Sequence, residues 1–146
     1  MLVLDTNHLD ALMFEHERRD RLVARIEAAT GHTVATTIVV VQEKFEGWLS
    51  RINDSRITAA KELLSYAEMH RLVQFFGRWN VLPYDEACAI EYRRLKGLRI
   101  RGTGTHDLKI AATVLRHGAI LLSTDNGFHN VPGLDVRDWL ADDLEE

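Results

Sequence analysis

One cysteine, Cys88, and two prolines are all that 146 residues hold of the types that staple or break a chain. No internal disulfide can form, which excludes a small disulfide-built secreted scaffold and fits a reducing compartment. Long apolar runs are missing too. Ile38 to Val41 is a run of only four, against the roughly 20 apolar residues that a membrane-spanning helix needs. Met1 to Asp10 carry neither the basic start nor the apolar stretch of a secretory signal. A cytoplasmic setting with no membrane segment is the expectation. Net positive charge is also lacking: the formal charge is -4. However, Asp142, Asp143, Glu145 and Glu146 account for that sum by themselves, so the body of the chain is close to neutral.

What is present is the composition of a folded globular protein, 46% apolar and 27% charged. The length suits one ordinary domain, expected over residues 1–140 with an acidic tail at 141–146. Leu2-Val3-Leu4 reads as a buried strand ending at the polar Asp5-Thr6-Asn7. Arg18 to Ala29 carries Leu22, Val23, Ile26 and Ala29 at helical spacing before Gly31. Thr33 to Thr37 is rich in β-branched residues and predicts a strand. The spacing then predicts helices over Ile38–Ile52 and Ile57–Trp79, broken at Asn53-Asp54-Ser55. Two successive helices without a strand between them suggest an α-helical hairpin insertion. Val81 to Tyr84 is a short strand candidate, Asp85 caps a helix to about Leu98, and Arg101-Gly-Thr-Gly-Thr105 leads into a helix from His106 to His117. Ala119 to Ser123 and a weak segment near Val136 complete the strands. This alternation predicts an α/β fold with a mainly parallel central sheet flanked by helices.

In such sheets ligands bind outside the carboxyl ends of the strands. Asp5 and Asp125 sit at strand ends, Asp107 lies in the first turn of a helix after a glycine-rich loop, and Glu43 can reach inward from the helix after the second strand. Each has an ordinary structural explanation: helix cap for Asp5, surface charge for Glu43, first-turn acid for Asp107, turn former for Asp125. Together they can form one acidic pocket. Crowded carboxylates repel one another and take up protons unless cations neutralise them. Hard oxygen ligands suit Mg2+ or Mn2+, and such ions equip a phosphodiesterase by activating water and holding a phosphate.

The order of these motifs resembles the PIN-domain nucleases and, within them, the VapC-type toxins of prokaryotic toxin–antitoxin pairs. Leu2-Val-Leu-Asp-Thr-Asn7 looks like the family's opening, with Asp5 the first metal-site acid and Thr6 or Asn7 supporting it. Thr37-Ile-Val-Val-Val-Gln-Glu43 is similar to the segment that places the second acid. Gly104-Thr-His-Asp107 with Leu-Lys-Ile-Ala-Ala112 resembles the segment bearing the third. Leu121-Leu-Ser-Thr-Asp-Asn-Gly-Phe128 resembles the last strand and its acidic loop, and Val131-Pro-Gly-Leu134 with Asp138-Trp139 the usual ending. The resemblance implies a Mg2+- or Mn2+-dependent endoribonuclease whose catalytic and metal-holding residues are Asp5, Glu43, Asp107 and Asp125. It also implies an RNA substrate, a small antitoxin partner and a homodimer. Asp125 ranks below the other three, as a direct ligand, a water-mediated one or a neighbour, with Ser123 or Thr124 supplying a hydroxyl beside it. Two departures stand out: Gly127 occupies a position where many relatives carry another acid, and Gln42-Glu43-Lys44 replaces an acid-leucine pair.

Two other classes are weighed. A PIN-like scaffold that only docks RNA or protein draws on Gly127 and is opposed by the intact acids. A haloacid-dehalogenase-type phosphatase wants a second Asp two residues after the first, where Asn7 stands. Arg93, Arg94, Lys96, Arg99, Arg101 and Lys109 form a basic stretch suited to RNA phosphates. The histidines His8, His16, His32, His70, His106, His117 and His129 show no zinc-like pair and read as surface or cap residues. Cys88 reads as a small core residue, and Trp48, Trp79 and Trp139 as core or interface rather than base-stacking platforms.

Overall fold

The computed structural model describes residues 1–14 and 17–141; His16 and residues 142–146 of the acidic tail lie outside the described residues. Within them five strands form one parallel sheet. In chain order the elements are β1 (Leu2–Leu4), α1 (Thr6–Met13), α2 (Glu17–Ala28), β2 (Val34–Thr37), α3 (Ile38–Ile52), α4 (Ala59–Phe76), β3 (Val81–Leu82), α5 (Glu86–Gly97), α6 (Thr105–Arg116), β4 (Ile120–Leu122) and β5 (Asp135–Arg137). A 3-10 turn over Asn126–Asn130 joins the last two strands. The predicted α/β architecture with helices flanking a parallel sheet is what the chain adopts.

The strand order is β3-β2-β1-β4-β5. The chain builds outward from β1 through β2 to β3, then crosses back to lay β4 on the other side of β1. The order therefore reverses between β1 and β4, and a crevice opens at the carboxyl ends of those two strands. β1 is buried along its whole length, and Val3 and Leu4 pair in register with Leu121 and Leu122. A central strand covered on both faces has to be apolar throughout, which is why Leu2-Val3-Leu4 shows no alternation. Polar Asp5 marks where the covered part ends.

α6 packs against β4 and α3 with a small-residue face. Leu108, Ile110, Ala111, Ala112 and Val114 are all buried, and the alanines let the helix lie close to its neighbours. α5 packs on α6, and α4 on α3 as the expected helical hairpin. A satellite cluster of Ala11, Leu22 and Leu140 holds α1, α2 and the end of the chain together.

α1 is the element the sequence leaves open, since Asp5-Thr6-Asn7 suits either a polar turn or a helix cap. Thr6–Met13 turns helical directly from β1 with no spacer, so its short apolar stripe looks like the tail of a strand and a loop. One consequence is a correction at His8. It is fully buried rather than a surface or cap residue, accepting the Trp139 N–H at Nε2 (3.1 Å) with Asp138 Oδ1 3.7 Å away. Burial lowers its pKa to about 4, so it is a neutral core residue. Cys88 is buried as expected, and Trp48, Trp79 and Trp139 pack partly buried against the core.

Candidate active site

Asp5 occupies the N-cap position of α1, yet its side chain makes no capping hydrogen bond. It turns instead toward β4, where Ser123 Oγ donates to Asp5 Oδ2 at 2.8 Å across the reversal point of the sheet. Only 8% of Asp5 is exposed. Burial raises its pKa, and the charges of Asp107 and Asp125 push in the same direction, while the Ser123 bond opposes them. A cap explanation therefore does not account for this carboxylate. It is kept buried, oriented and in the field of two other acids.

Glu43 projects from the second turn of α3, a helix capped by Thr37, whose hydroxyl accepts the Val40 N–H at 3.2 Å. Thr6 Oγ1 donates to Glu43 Oε2 at 3.1 Å. Glu43 is half-buried rather than a free surface charge. Burial raises its pKa, and Asp5 and Asp107 add to the rise. His106 Nδ1 lies 3.4 Å from Glu43 Oε1, so His106 belongs beside the acids. Nothing in the spacing between positions 43 and 106 announces that contact, which only the packing of α3 against α6 creates.

Asp107 stands in the first turn of α6 and reaches back to accept the Gly104 N–H at 3.4 Å. Its pKa is raised by burial and by Asp125. Glu43, Gly104, Thr105, His106 and Asp107 line a shallow cavity of about 340 Å³. Asp125 is the most conventional of the four: its Oδ1 accepts the Gly127 N–H at 2.8 Å and so forms the 3-10 turn. Its own N–H donates to Ser123 Oγ at 3.1 Å. One hydroxyl thus serves both Asp5 and Asp125. Asn7 Nδ2 donates to Thr124 Oγ1 in a short contact that ties the start of α1 to the loop after β4.

The structure therefore brings the four acids together at the carboxyl end of the sheet, where Asp5, Asp107 and Asp125 help to raise the pKa of neighbouring carboxylates. Among the described residues, no three Asp, Glu, His or Cys side chains enclose an ion-sized space as they stand. The basic stretch is less uniform than its sequence suggests. Arg94 is tied to Glu91 (2.5 Å), and the Lys109 ammonium lies over the rings of Tyr84 and Tyr92 at 5.8 and 5.5 Å. Arg93, Lys96, Arg99 and Arg101 are exposed. No helix among the described residues is long and apolar enough to cross a membrane.

The family model for the PIN domain matches residues 2–134. Among curated proteins, none matches the sequence. Among solved structures, the fold is similar to VapBC-1 from nontypeable Haemophilus influenzae, with TM-score 0.72 and 21% identity over 96% of this chain and 98% of that one. It is similar to VapBC2 from Rickettsia felis, solved bound to a promoter DNA fragment, with TM-score 0.70 and 21% identity over 94% and 98%. VapBC-5 from Mycobacterium tuberculosis, of the VapBC family of toxin–antitoxin systems, aligns with TM-score 0.58 and 23% identity over 93% and 94%.

Proposed function

The chain belongs to the PIN-domain family, and from that premise we propose that it is a divalent-metal-dependent endoribonuclease, the VapC-type toxin of a type II toxin–antitoxin pair. The observation that carries this reading is Asp5: a buried carboxylate at the reversal point of the sheet, freed from capping, fixed by Ser123 and surrounded by acids. Burial raises the pKa values of Asp5, Glu43 and Asp107, and the charges of neighbouring acids add to the rise, so the clustered carboxylates lack compensating positive charge. A dication supplies that charge.

The donor set fits Mg2+ or Mn2+. All four candidate ligands offer hard oxygen atoms, and Mg2+ keeps several of its waters and takes only one or two carboxylates directly, so a cage closer than the one observed is not required. When bound, the ion lowers the pKa of a water and neutralises charge on the phosphodiester. The chain's own residues do the positioning. Ser123 orients Asp5, Thr6 orients Glu43, and the pairing of Asn7 with Thr124 fixes the two loops relative to each other. Water supplies the incoming oxygen, a P–O bond breaks, and no covalent enzyme intermediate forms.

A cytoplasmic setting, a single domain over residues 1–140, a homodimer and a small antitoxin partner go with this reading, and the VapBC complexes of similar fold support the antitoxin. Arg93, Lys96, Arg99 and Arg101 remain the proposed phosphate contacts near the site. Incubating the purified protein with tRNA and rRNA in Mg2+, Mn2+ or chelator tests the activity. Discrete cleavage products with metal and none with chelator are expected; intact RNA under every metal condition overturns the reading.

A further inference from the structure

The four carboxylates repel a polyanion, so cations outside the acidic centre must draw RNA to the molecule, and those from Arg93 to Arg101 are not the only candidates. At the tip of the α3–α4 hairpin a cavity of about 560 Å³ is lined by Trp48, Arg51, Asp54, Arg56, Ile57, Lys61, Leu64 and Ser65. Three cations face one carboxylate there, and that carboxylate is already bound by Arg56, whose backbone N–H (3.0 Å), Nε (3.2 Å) and Nη2 (3.3 Å) all donate to Asp54. Neither Arg51 nor Lys61 has a carboxylate partner among the described residues. Arg51 lies over the Trp48 ring at 4.5 Å, a cation–π contact that occupies the ring without supplying a carboxylate partner. Ile57 and Leu64 form an apolar floor, and Leu64 is 55% exposed.

We propose that this hairpin cavity is a binding site for single-stranded RNA. Bases rest on Ile57, Leu64 and the Arg51–Trp48 stack, and phosphates meet Arg51 and Lys61. An apolar floor rimmed by unpaired cations is the arrangement that takes a single strand without reading its sequence. Arg51 follows Glu43 by eight positions in α3, about 12 Å along the helix, a distance that a few nucleotides span. Trp48, read from the sequence as core or interface, thus has a second role as the ring on which Arg51 rests. The proposal deepens the ribonuclease reading by placing part of the same substrate, and binding without metal tests it separately from cleavage.

The experiment measures fluorescence anisotropy of a labelled single-stranded RNA of about 12 nucleotides with the full chain in chelator, where cleavage does not confuse the signal. Lys61→Glu and Arg51→Glu are each expected to weaken binding about tenfold and to reduce the slope of log affinity against log salt by about 0.7. Arg78→Glu, the same charge change on an exposed residue elsewhere, is expected to stay within about twofold. Replacing bases by abasic positions is expected to weaken the wild type and to matter less in Leu64→Ser. Equal effects from all three charge reversals, or none, overturn the site. So does loss of affinity confined to Arg93→Glu and Lys96→Glu, or a changed oligomeric state by sedimentation in Lys61→Glu with RNA affinity intact. Loss of cleavage in the wild type with these binding effects preserved would reject the nuclease reading and leave the RNA site standing.

Discussion

A β-carbon on Gly127 would lie 2.2 Å from the carbonyl oxygen of Gly102. The turn after Asp125 is pressed directly onto the glycine loop that leads to Asp107. Asn130 Nδ2 adds a hydrogen bond to the Arg101 carbonyl at 3.0 Å, so the loops bearing two of the four acids form one unit. Where the resemblance expects an acid in many relatives, Gly127 stands at a position with no room for any side chain.

Gly127→Ala should therefore do more than remove flexibility. The clash is with backbone, which cannot rotate away, so the two loops must part. A destabilisation of about 1–3 kcal/mol is expected, as for overpacking of a close contact, together with weaker Mn2+ binding as Asp125 moves from Asp107. Chemical denaturation and Mn2+ titration of the variant check both. Unchanged values would show that the loops are not held by this contact.

Neutralising Asp5 should stabilise the metal-free protein. Its folded-state pKa is raised by burial and by Asp107 and Asp125, so the folded state binds protons more tightly than the unfolded one, and stability is lost as pH rises through that window. Asp5→Asn lacks this loss and keeps an oxygen for Ser123. In chelator at neutral pH its melting temperature should exceed that of the wild type. Added Mg2+ should raise the melting temperature of the wild type and not of the variant.

His8 gives the opposite pH dependence. Burial lowers its pKa to about 4 from an unfolded value near 6.5. The unfolded state therefore binds more protons between those values, and stability is full above pH ~6.5 and falls as pH drops toward 4. The shift amounts to about 3 kcal/mol at most. Because the acids slope the other way, the test is the difference between wild type and His8→Gln across pH 4 to 7: it should narrow as pH falls. A constant difference would mean that His8 does not titrate on unfolding.

Much of this site was legible in the sequence because β1 and β4 are short apolar runs that stop at acids. Leu4 to Asp5 and Leu122 to Ser123-Thr124-Asp125 mark strand ends by the abrupt change from apolar to polar residues. α1 stayed open because its apolar positions, Leu9, Ala11 and Leu12, make a stripe too short to decide between a helix and a loop after Asp5-Thr6-Asn7. With α1 undecided, His8 could not be seen on its buried stripe. His106 beside Glu43 and Lys109 over Tyr84 and Tyr92 depend on which helices meet, a matter of tertiary packing that local patterns do not encode. The structural explanations weighed for single acids divided as well: Asp125 does form its turn and Asp107 does reach its Gly104 N–H, whereas Asp5 does not cap α1.

The central claim is that Asp5, Glu43 and Asp107, with Asp125 assisting, hold a divalent ion. Electron paramagnetic resonance of Mn2+ titrated into the purified chain reads free and bound ion directly, without RNA. The wild type should show saturable binding that Mg2+ displaces, Asp5→Asn and Asp107→Asn should lose it, and Asp125→Asn should weaken it less. Undiminished Mn2+ binding in Asp5→Asn, or no saturable binding in the wild type, would contradict the account.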